Sequence, residues 1–248
     1  MKENTGPGST IKDTKELYEP GGRGEGTGGG RFEYKKLFQR DQELKIIDDM
    51  IGVVPGVASR EQCEHIVGLV SKYYFPKTAE TYGNTSDITK NEESHDRKGH
   101  LHWCSYLDEP WIMDNYVRPW IYEYNKQITK FDIDWWADHQ GQLCKYSEPG
   151  DWFDWHRDHM LDTREHLASH DGSFPPRKIS ISLQLSQWGE DYKGCELLVG
   201  NCRPKEDDPM LQQGTLIIFP SWMRHKVTPL TSGTRWSWTY WLEGPPWK

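Results

Sequence analysis

The second half of the chain is a series of short β-rich runs, and this pattern constrains the fold more than any other feature. From about residue 131 the runs read GQLCKY, KISISLQLS, CELLVG, GTLIIFPS, HKVTPL and TRWSWTYWLE. Clusters of Gly, Pro, Asn and Asp separate them, as is typical of strands joined by turns. Many short strands of this kind predict a β-sandwich or jelly roll.

Helical patterns come before these strands, so the predicted class is α+β. SREQCEHIVGLVSKYY predicts a helix, because Ser59 is a suitable N-cap, Gln62 follows it by three residues, and apolar residues recur at helical spacing. EPWIMDNYVRPWIYEYNKQIT predicts a second helical stretch that is interrupted near Pro119. IIDDMIGVVPGVAS predicts a short buried strand and a turn.

These patterns predict one domain with an appended tail. Residues 1–31 include PGGRGEGTGGGR and are nearly free of apolar residues, which predicts a flexible Gly-rich tail. Residues 32–130 are predicted to form an N-terminal helical support region, and residues 131–248 a β-rich core.

Charge and cysteine content narrow the class of protein. The formal net charge is -8, which argues against nucleic acid or an anionic membrane as partner. The first residues contain no apolar run typical of a signal peptide or membrane span, so a cytoplasmic protein is expected. The 5 cysteines are scattered and form no Cys-x-x-Cys motif, so we expect reduced thiols.

A candidate metal motif lies in WFDWHRDHM. If this segment is extended, His156 and Asp158 point to one face and Arg157 to the other. Two ligands of one metal ion would then come from a single strand. The tripeptide alone is weak evidence, because His-x-Asp is common by chance.

A second segment, GTLIIFPSWMRHKVTPLTSGTRWSWTYW, supplies a histidine and an arginine. His225 opens a predicted strand, and Arg235 follows a turn near residues 232–233. We expect the two strands to form a hairpin that brings Arg235 alongside the strand of His225. Ser237 and Thr239 share the face of Arg235 and leave room for a ligand. The bulky residues that alternate with them, Trp236, Trp238 and Tyr240, are expected to pack on the opposite face.

These residue types together indicate a redox metal site. Two histidines and one carboxylate on one side of a metal are the ligand set of non-haem Fe(II) oxygenases. A buried arginine offers a planar fork for the far end of a dicarboxylate. The cosubstrate that this combination predicts is 2-oxoglutarate.

Three segments in combination resemble a known family, the Fe(II)/2-oxoglutarate-dependent prolyl 4-hydroxylase-like dioxygenases. They are YSEPGDWFDWHRD, GCELLVG and GTLIIFPSWMRHKVTPLTSGTRWSWTYW, within residues 140–243; GVASREQCEHIV also resembles the helix that opens such domains. The resemblance implies a double-stranded β-helix core that uses Fe(II), 2-oxoglutarate and O2, with ascorbate as a candidate addition. By position it makes His156, Asp158 and His225 the iron ligands and Arg235 the cosubstrate anchor.

The resemblance extends to residues around the cosubstrate. Tyr146, ten residues before His156, matches a tyrosine that hydrogen-bonds 2-oxoglutarate. Gln184 stands where relatives often have a tyrosine, and Cys195 replaces a glycine of the usual Gly-Gly-Glu-Leu. Val227 and Ser237 are also assigned to cosubstrate binding.

The implied reaction is hydroxylation of an amino-acid side chain, with succinate and CO2 as coproducts. A peptidyl proline is the first candidate, which makes a peptide or protein the expected partner; another residue or a free amino acid is the alternative. A metal- or peptide-binding module without turnover remains open. A zinc hydrolase would need a general base that the sequence does not offer, and would not need Arg235.

Several residues outside this set have two interpretations. Arg97, within SHDRKGH, is expected in a mobile loop near the pocket entrance, either solvated or in contact with substrate. Aromatic residues around the motif line a peptide groove or belong to the core: Trp152, Phe153 and Trp155. Two pairs of histidines have metal-ligand spacing but are expected to be solvated: His100 with His102, and His166 with His170.

Overall fold

The computed structural model describes residues 42–48, 50–74, 77–78, 97–106, 108–135, 140–158 and 175–245. Its α-helices, numbered in chain order, are α1 (Arg60–Tyr73), α2 (Pro110–Tyr116) and α3 (Arg118–Tyr124). A π-helical turn spans Asn125–Thr129, and a 3-10 turn spans Pro209–Leu211. The predicted Gly-rich tail, residues 1–31, lies outside the described residues.

The strands are short, as the sequence predicts. They are β1 (Lys45–Ile47), β2 (Ile51–Val54), β3 (Lys77–Thr78), β4 (Arg97–Lys98), β5 (His100–Ser105), β6 (Gln140–Tyr146), β7 (Trp152–His156), β8 (Arg177–Gln184), β9 (Tyr192–Gly194), β10 (Leu197–Val199), β11 (Leu216–Pro220), β12 (His225–Val227), β13 (Leu230–Gly233) and β14 (Arg235–Glu243). The large sheet has the order β1-β2-β11-β8-β14-β6-β5-β3, and the small sheet has the order β10-β12-β7-β4. Strands β13 and β9 form a separate pair. The fold is thus an α+β jelly roll.

The structure confirms the N-cap that the sequence predicts for helix α1. The Ser59 side chain accepts from the Gln62 N–H, and the Gln62 side chain accepts from the Ser59 N–H, which completes a capping box. The apolar stripe of Cys63, Ile66 and Val70 is buried against the sheet. Local capping and core packing therefore favour the same helix.

The predicted interruption near Pro119 is also confirmed. Helix α2 ends at Tyr116, and Val117 departs from helical geometry with φ -122°. Pro119 then lies in the first turn of α3. A proline is tolerated there because first-turn N–H groups have no partner within the helix.

Two apolar cores lie on either side of the large sheet. Along β8, Ile179, Ile181 and Leu183 belong to the core that the helices cover. The polar Ser180 and Ser182 alternate with them and face the other way, where the second core lies between the two sheets. A pocket opens from this second core.

The structure corrects one sequence-based expectation about strand pairing. The predicted hairpin of the His225 and Arg235 strands is wrong: β12 pairs with β7 and β10 in the small sheet, whereas β14 pairs with β6 and β8 in the large sheet. Strand β13 pairs with β9 instead, so the chain changes sheet between the two residues. The segment before residue 131 also supplies strands to the large sheet, in addition to its helices.

Across the described ranges, no helix combines the length and the apolarity needed to cross a membrane.

Candidate metal centre and anion pocket

A pocket opens between the two sheets, and strands of both sheets form its walls. The cavity between these walls measures about 40 Å³. Titratable side chains are concentrated at its small-sheet wall, around His156, Asp158 and His225.

The small sheet brings the three predicted ligands together. His156 ends β7 and pairs in register with His225, which begins β12. Asp158 follows two residues after β7, where its N–H donates to the Ser221 carbonyl at 3.0 Å. The Asp158 carboxylate oxygens lie 3.7 Å from His156 Nε2 and 3.3 Å from His225 Nε2. One ligand atom from each residue lies within 4.8 Å of the others, so the group can hold a metal ion.

Both imidazoles are oriented by the backbone. His156 Nδ1 lies 2.7 Å from the Asp154 carbonyl oxygen, and His225 Nδ1 lies 3.0 Å from the Met223 carbonyl oxygen. A carbonyl only accepts, so each Nδ1 carries a proton, and Nε2, which faces Asp158, is the nitrogen that would bind a metal when the ring is neutral. Histidine metal ligands usually have this outer hydrogen bond. The donor set therefore fits a divalent cation that accepts imidazole and carboxylate ligands.

Burial and the neighbouring charges set the protonation of the cluster. Burial, with a contribution from His225, lowers the pKa of His156 to about 4. Burial opposes ionisation of Asp158, but the adjacent His225 outweighs it and holds the Asp158 pKa below its usual value. Burial likewise opposes the charge of His225, and Asp158 outweighs this and raises the His225 pKa. At pH 7 His156 is neutral and Asp158 ionised, which are their metal-binding forms.

Arg235 lies in the opposite wall, at the start of β14. It is 1% exposed, and its Nη2 donates to the Gln184 side-chain oxygen at 2.8 Å. Its Nε and Nη1 have no partner within the described part of the chain. A buried guanidinium with unused donors is costly unless an anion pairs with it. The site therefore fits a carboxylate at the end of the pocket remote from the histidines.

The other predicted cosubstrate residues divide into two groups. Tyr146, Val227 and Ser237 line the pocket. Gln184 lies behind Arg235, where its Nε2 donates to the Met210 carbonyl at 3.0 Å. The observed side-chain partner of its oxygen is Arg235. A role of these residues in cosubstrate binding stays a prediction.

An irregularity in β7 determines which aromatic residues of the motif face the pocket. His225 pairs with His156 while Val227 pairs with Phe153, so β7 has one extra residue between these pairs. Phe153 therefore shares the pocket side with His156, and their rings stack with centroids 3.6 Å apart. Trp155 instead lies beside three cations, of which Lys226 is on β12 and the other two follow or precede small-sheet strands: Arg203, Arg224 and Lys226.

Sequence reasoning missed Ser180, although a signal for it exists. In KISISLQLS, polar side chains alternate with Ile and Leu along a strand that is buried on both faces. Polar residues on such a strand need partners, and a pocket or a ligand supplies them. Ser180 meets this need by donating to Asp158.

The solvated interpretation is wrong for His102. This residue is buried, and its Nδ1 lies 2.5 Å from the Tyr74 carbonyl oxygen. Its neighbour His100 is exposed, as expected. His166 and His170 lie outside the described residues.

Comparison with known proteins agrees with this geometry. Residues 141–243 match the model of the 2OG-Fe(II) oxygenase superfamily. No curated protein matches the chain at a significant level.

Solved structures share the fold. A prolyl-4-hydroxylase from Pseudomonas putida is 16% identical, with 80% of this chain and 95% of that chain covered and a TM-score of 0.53. The viral collagen prolyl hydroxylase of Paramecium Bursaria Chlorella virus-1 is 15% identical, with 79% and 97% covered and a TM-score of 0.52. Residues 141–243 are thus similar in sequence to the 2OG-Fe(II) oxygenase superfamily, and the solved structures show the same fold.

Proposed function

We propose that the protein is an Fe(II)- and 2-oxoglutarate-dependent oxygenase that hydroxylates an amino-acid side chain and forms succinate and CO2. The match of residues 141–243 to the 2OG-Fe(II) oxygenase superfamily supports Fe(II), 2-oxoglutarate and O2 as the reactants. The observation that carries the proposal is a single pocket with the metal-binding group of His156, Asp158 and His225 at one wall and Arg235 at the other.

Each wall has a separate task in this proposal. His156, Asp158 and His225 hold Fe(II), and Arg235 pairs with the distal carboxylate of 2-oxoglutarate. When bound, Fe(II) and 2-oxoglutarate would supply the electrons that activate dioxygen for hydroxylation of a substrate C–H bond. The protein orients the two reactants and keeps water away with the apolar walls between them.

A peptidyl proline is the first substrate to test. Two solved structures with the same fold are named as prolyl hydroxylases, which supports this order of testing. Another residue or a free amino acid is the alternative. A binding module without turnover has no need for both a metal group and an anion anchor in one pocket.

The direct test is an anaerobic titration of metal-free protein with Fe(II) and 2-oxoglutarate, followed by the visible charge-transfer absorption of the chelate. We expect the band in the wild type and its loss in His156→Ala and His225→Ala. His65→Ala is the matched control, because this histidine lies on α1 against Trp111 and away from the pocket. A folded wild type without the band would contradict the proposal.

A measurement of turnover distinguishes an enzyme from a binding module. Succinate formation is measured with and without proline-containing peptides, and with free amino acids, in the presence and absence of ascorbate. We expect stimulation by a substrate and none in His225→Ala. Wild-type protein that binds 2-oxoglutarate but never forms succinate would favour the module.

A further inference from the structure

A second buried arginine lies in the same pocket. Arg97 is on β4, directly across from Phe153 of β7, and is only 7% exposed. Its guanidinium carbon lies 4.4 Å from the centroid of the Phe153 ring, which in turn stacks on His156. Arg97 therefore lies at the small-sheet wall, on the side of the metal-binding group, whereas Arg235 lies in the large sheet.

The described residues offer the Arg97 guanidinium only uncharged acceptors, Cys144 and Tyr146. Its Nη2 donates to Cys144 Sγ at 3.3 Å, and its Nε has no partner among the residues that the structure describes. A thiol is a weak acceptor. Nε and Nη2 form one edge of the guanidinium, and two parallel donors on an edge match the two oxygens of a carboxylate. A carboxylate could replace the thiol contact with little loss.

The charges of the pocket are unbalanced. Among its described lining residues there are two arginines and one carboxylate, and that carboxylate, Asp158, lies between two histidines. Tyr146 supplies no counter-charge, because burial raises its pKa to about 12. A bound divalent cation would add further positive charge. In the proposed function 2-oxoglutarate pairs with the metal and with Arg235, which leaves Arg97 without a counterion.

We infer that Arg97 is a substrate-binding residue and that the substrate carries a carboxylate close to the carbon that is hydroxylated. This inference rests on the proposed function. It favours a free amino acid, or a residue at a peptide C-terminus, over an uncharged internal segment of a peptide. A buried guanidinium gains most from such a partner because the pair is shielded from water.

The test uses matched probes that differ only in charge. The anaerobic wild-type complex with Fe(II) and 2-oxoglutarate is titrated with N-acetyl-L-proline and with N-acetyl-L-prolinamide, and with acetate and acetamide as the smallest pair. A dipeptide that ends in proline, and its amide, distinguish a peptide C-terminus from a free amino acid. Circular dichroism of the visible band reports binding next to the metal.

We expect the carboxylates to bind about 10- to 100-fold more tightly than their amides in the wild type. In Arg97→Met this preference should vanish while the affinity for 2-oxoglutarate is unchanged, and Arg97→Lys should retain part of it. Arg60→Met is the control, because Arg60 is a surface arginine of α1 with acidic partners outside the pocket. Thermal unfolding of each variant checks that it is folded.

Two results would overturn the inference: equal wild-type affinity for carboxylates and amides, or loss of 2-oxoglutarate affinity in Arg97→Met, which would make Arg97 part of the cosubstrate site. If the wild type forms no band with Fe(II) and 2-oxoglutarate, the proposed function itself fails. The same probe pairs are then compared by their effect on thermal unfolding of the wild type and Arg97→Met, so the two failures remain distinguishable.

Discussion

Ser180 donates a 2.6 Å hydrogen bond from its Oγ to Asp158 Oδ2, the same carboxylate oxygen that faces His225 Nε2 at 3.3 Å. The Ser180 hydroxyl also lies 2.9 Å from Ser221 Oγ. The large sheet thus reaches across the pocket, through β8, to hold a carboxylate that the small sheet positions. The orientation of Asp158 is set before any cation arrives.

Ser180→Ala should therefore weaken metal binding without abolishing it. Loss of an outer hydrogen bond to a ligand typically lowers metal affinity about 10- to 100-fold. Calorimetric titration of metal-free protein with Mn(II) measures this affinity. Ser182→Ala is the matched control, since Ser182 lines the pocket from the same strand and makes no contact with Asp158. Equal Mn(II) affinity in both variants would show that Ser180 is not needed.

Arg235→Met should separate cosubstrate binding from metal binding. A charge-assisted, two-donor contact is lost, so we expect 2-oxoglutarate affinity to fall about 100-fold or more. Mn(II) affinity should stay near that of the wild type. Gln184→Leu should have a smaller effect, because it frees Arg235 Nη2 but keeps the charge. A Gln184→Leu variant as weak as Arg235→Met would instead support direct contact of Gln184 with the cosubstrate.

Two glycines should respond in opposite directions to the same substitution. A Cβ at Gly141 would lie 2.3 Å from Trp238 Cζ2 in the core, so Gly141→Ala should destabilise the fold by about 1–3 kcal/mol. A Cβ at the exposed Gly68 of α1 meets no atom, so Gly68→Ala should stabilise it by about 0.5–1 kcal/mol through helix propensity. Urea unfolding measures both. A neutral Gly141→Ala would mean that β6 and β14 can separate locally at no cost.

The metal-free protein should lose the stabilising contribution of His156 as the pH falls. The pKa of His156 in the folded protein is about 4, whereas the pKa of a histidine in an unfolded chain is about 6.5. The unfolded chain takes up the proton first, so this contribution is complete above about pH 6.5 and is lost between about 6.5 and about 4.

His225 acts in the opposite direction, because its pKa is raised. The difference in unfolding free energy between the wild type and His156→Gln isolates the His156 contribution. Urea unfolding with a chelator, at several pH values from 4 to 7, should show this difference falling by at most about 1.4 kcal/mol per pH unit. A difference that rises toward low pH would indicate that His156 is protonated in the fold.

Alternation along single strands was predictable from the sequence. Trp238 and Tyr240 pack in the helix-covered core while Arg235, Ser237 and Thr239 line the pocket, as period-two alternation requires. His156 and Asp158 also converge, although β7 ends at His156 and the backbone contact of Asp158 with Ser221 holds the second residue.

Pairing between strands was not predictable in the same way. Alternation indicates which residues of a strand share a face, but not which strand is its neighbour. The prediction that the Arg235 strand pairs with the His225 strand is wrong for this reason. The extra residue in β7 likewise leaves no mark in the sequence, and it puts Phe153 on the side of His156. The sequence predicts a surface position for His102, because its partner in the structure is a backbone carbonyl that is distant in the chain and that no sequence pattern indicates.

The division of the pocket between two sheets has a mechanical consequence. Any ligand that reaches from the His225 side to Arg235 cross-links β12 and β14, which share no ladder of hydrogen bonds. Such a cross-link suppresses local unfolding in which the two sheets separate. A ligand that binds only the folded state also increases the stability of the protein. Backbone amides in β12 and β14 should therefore exchange hydrogen more slowly by a common factor once 2-oxoglutarate and a metal are both present, and by a smaller one with the metal alone.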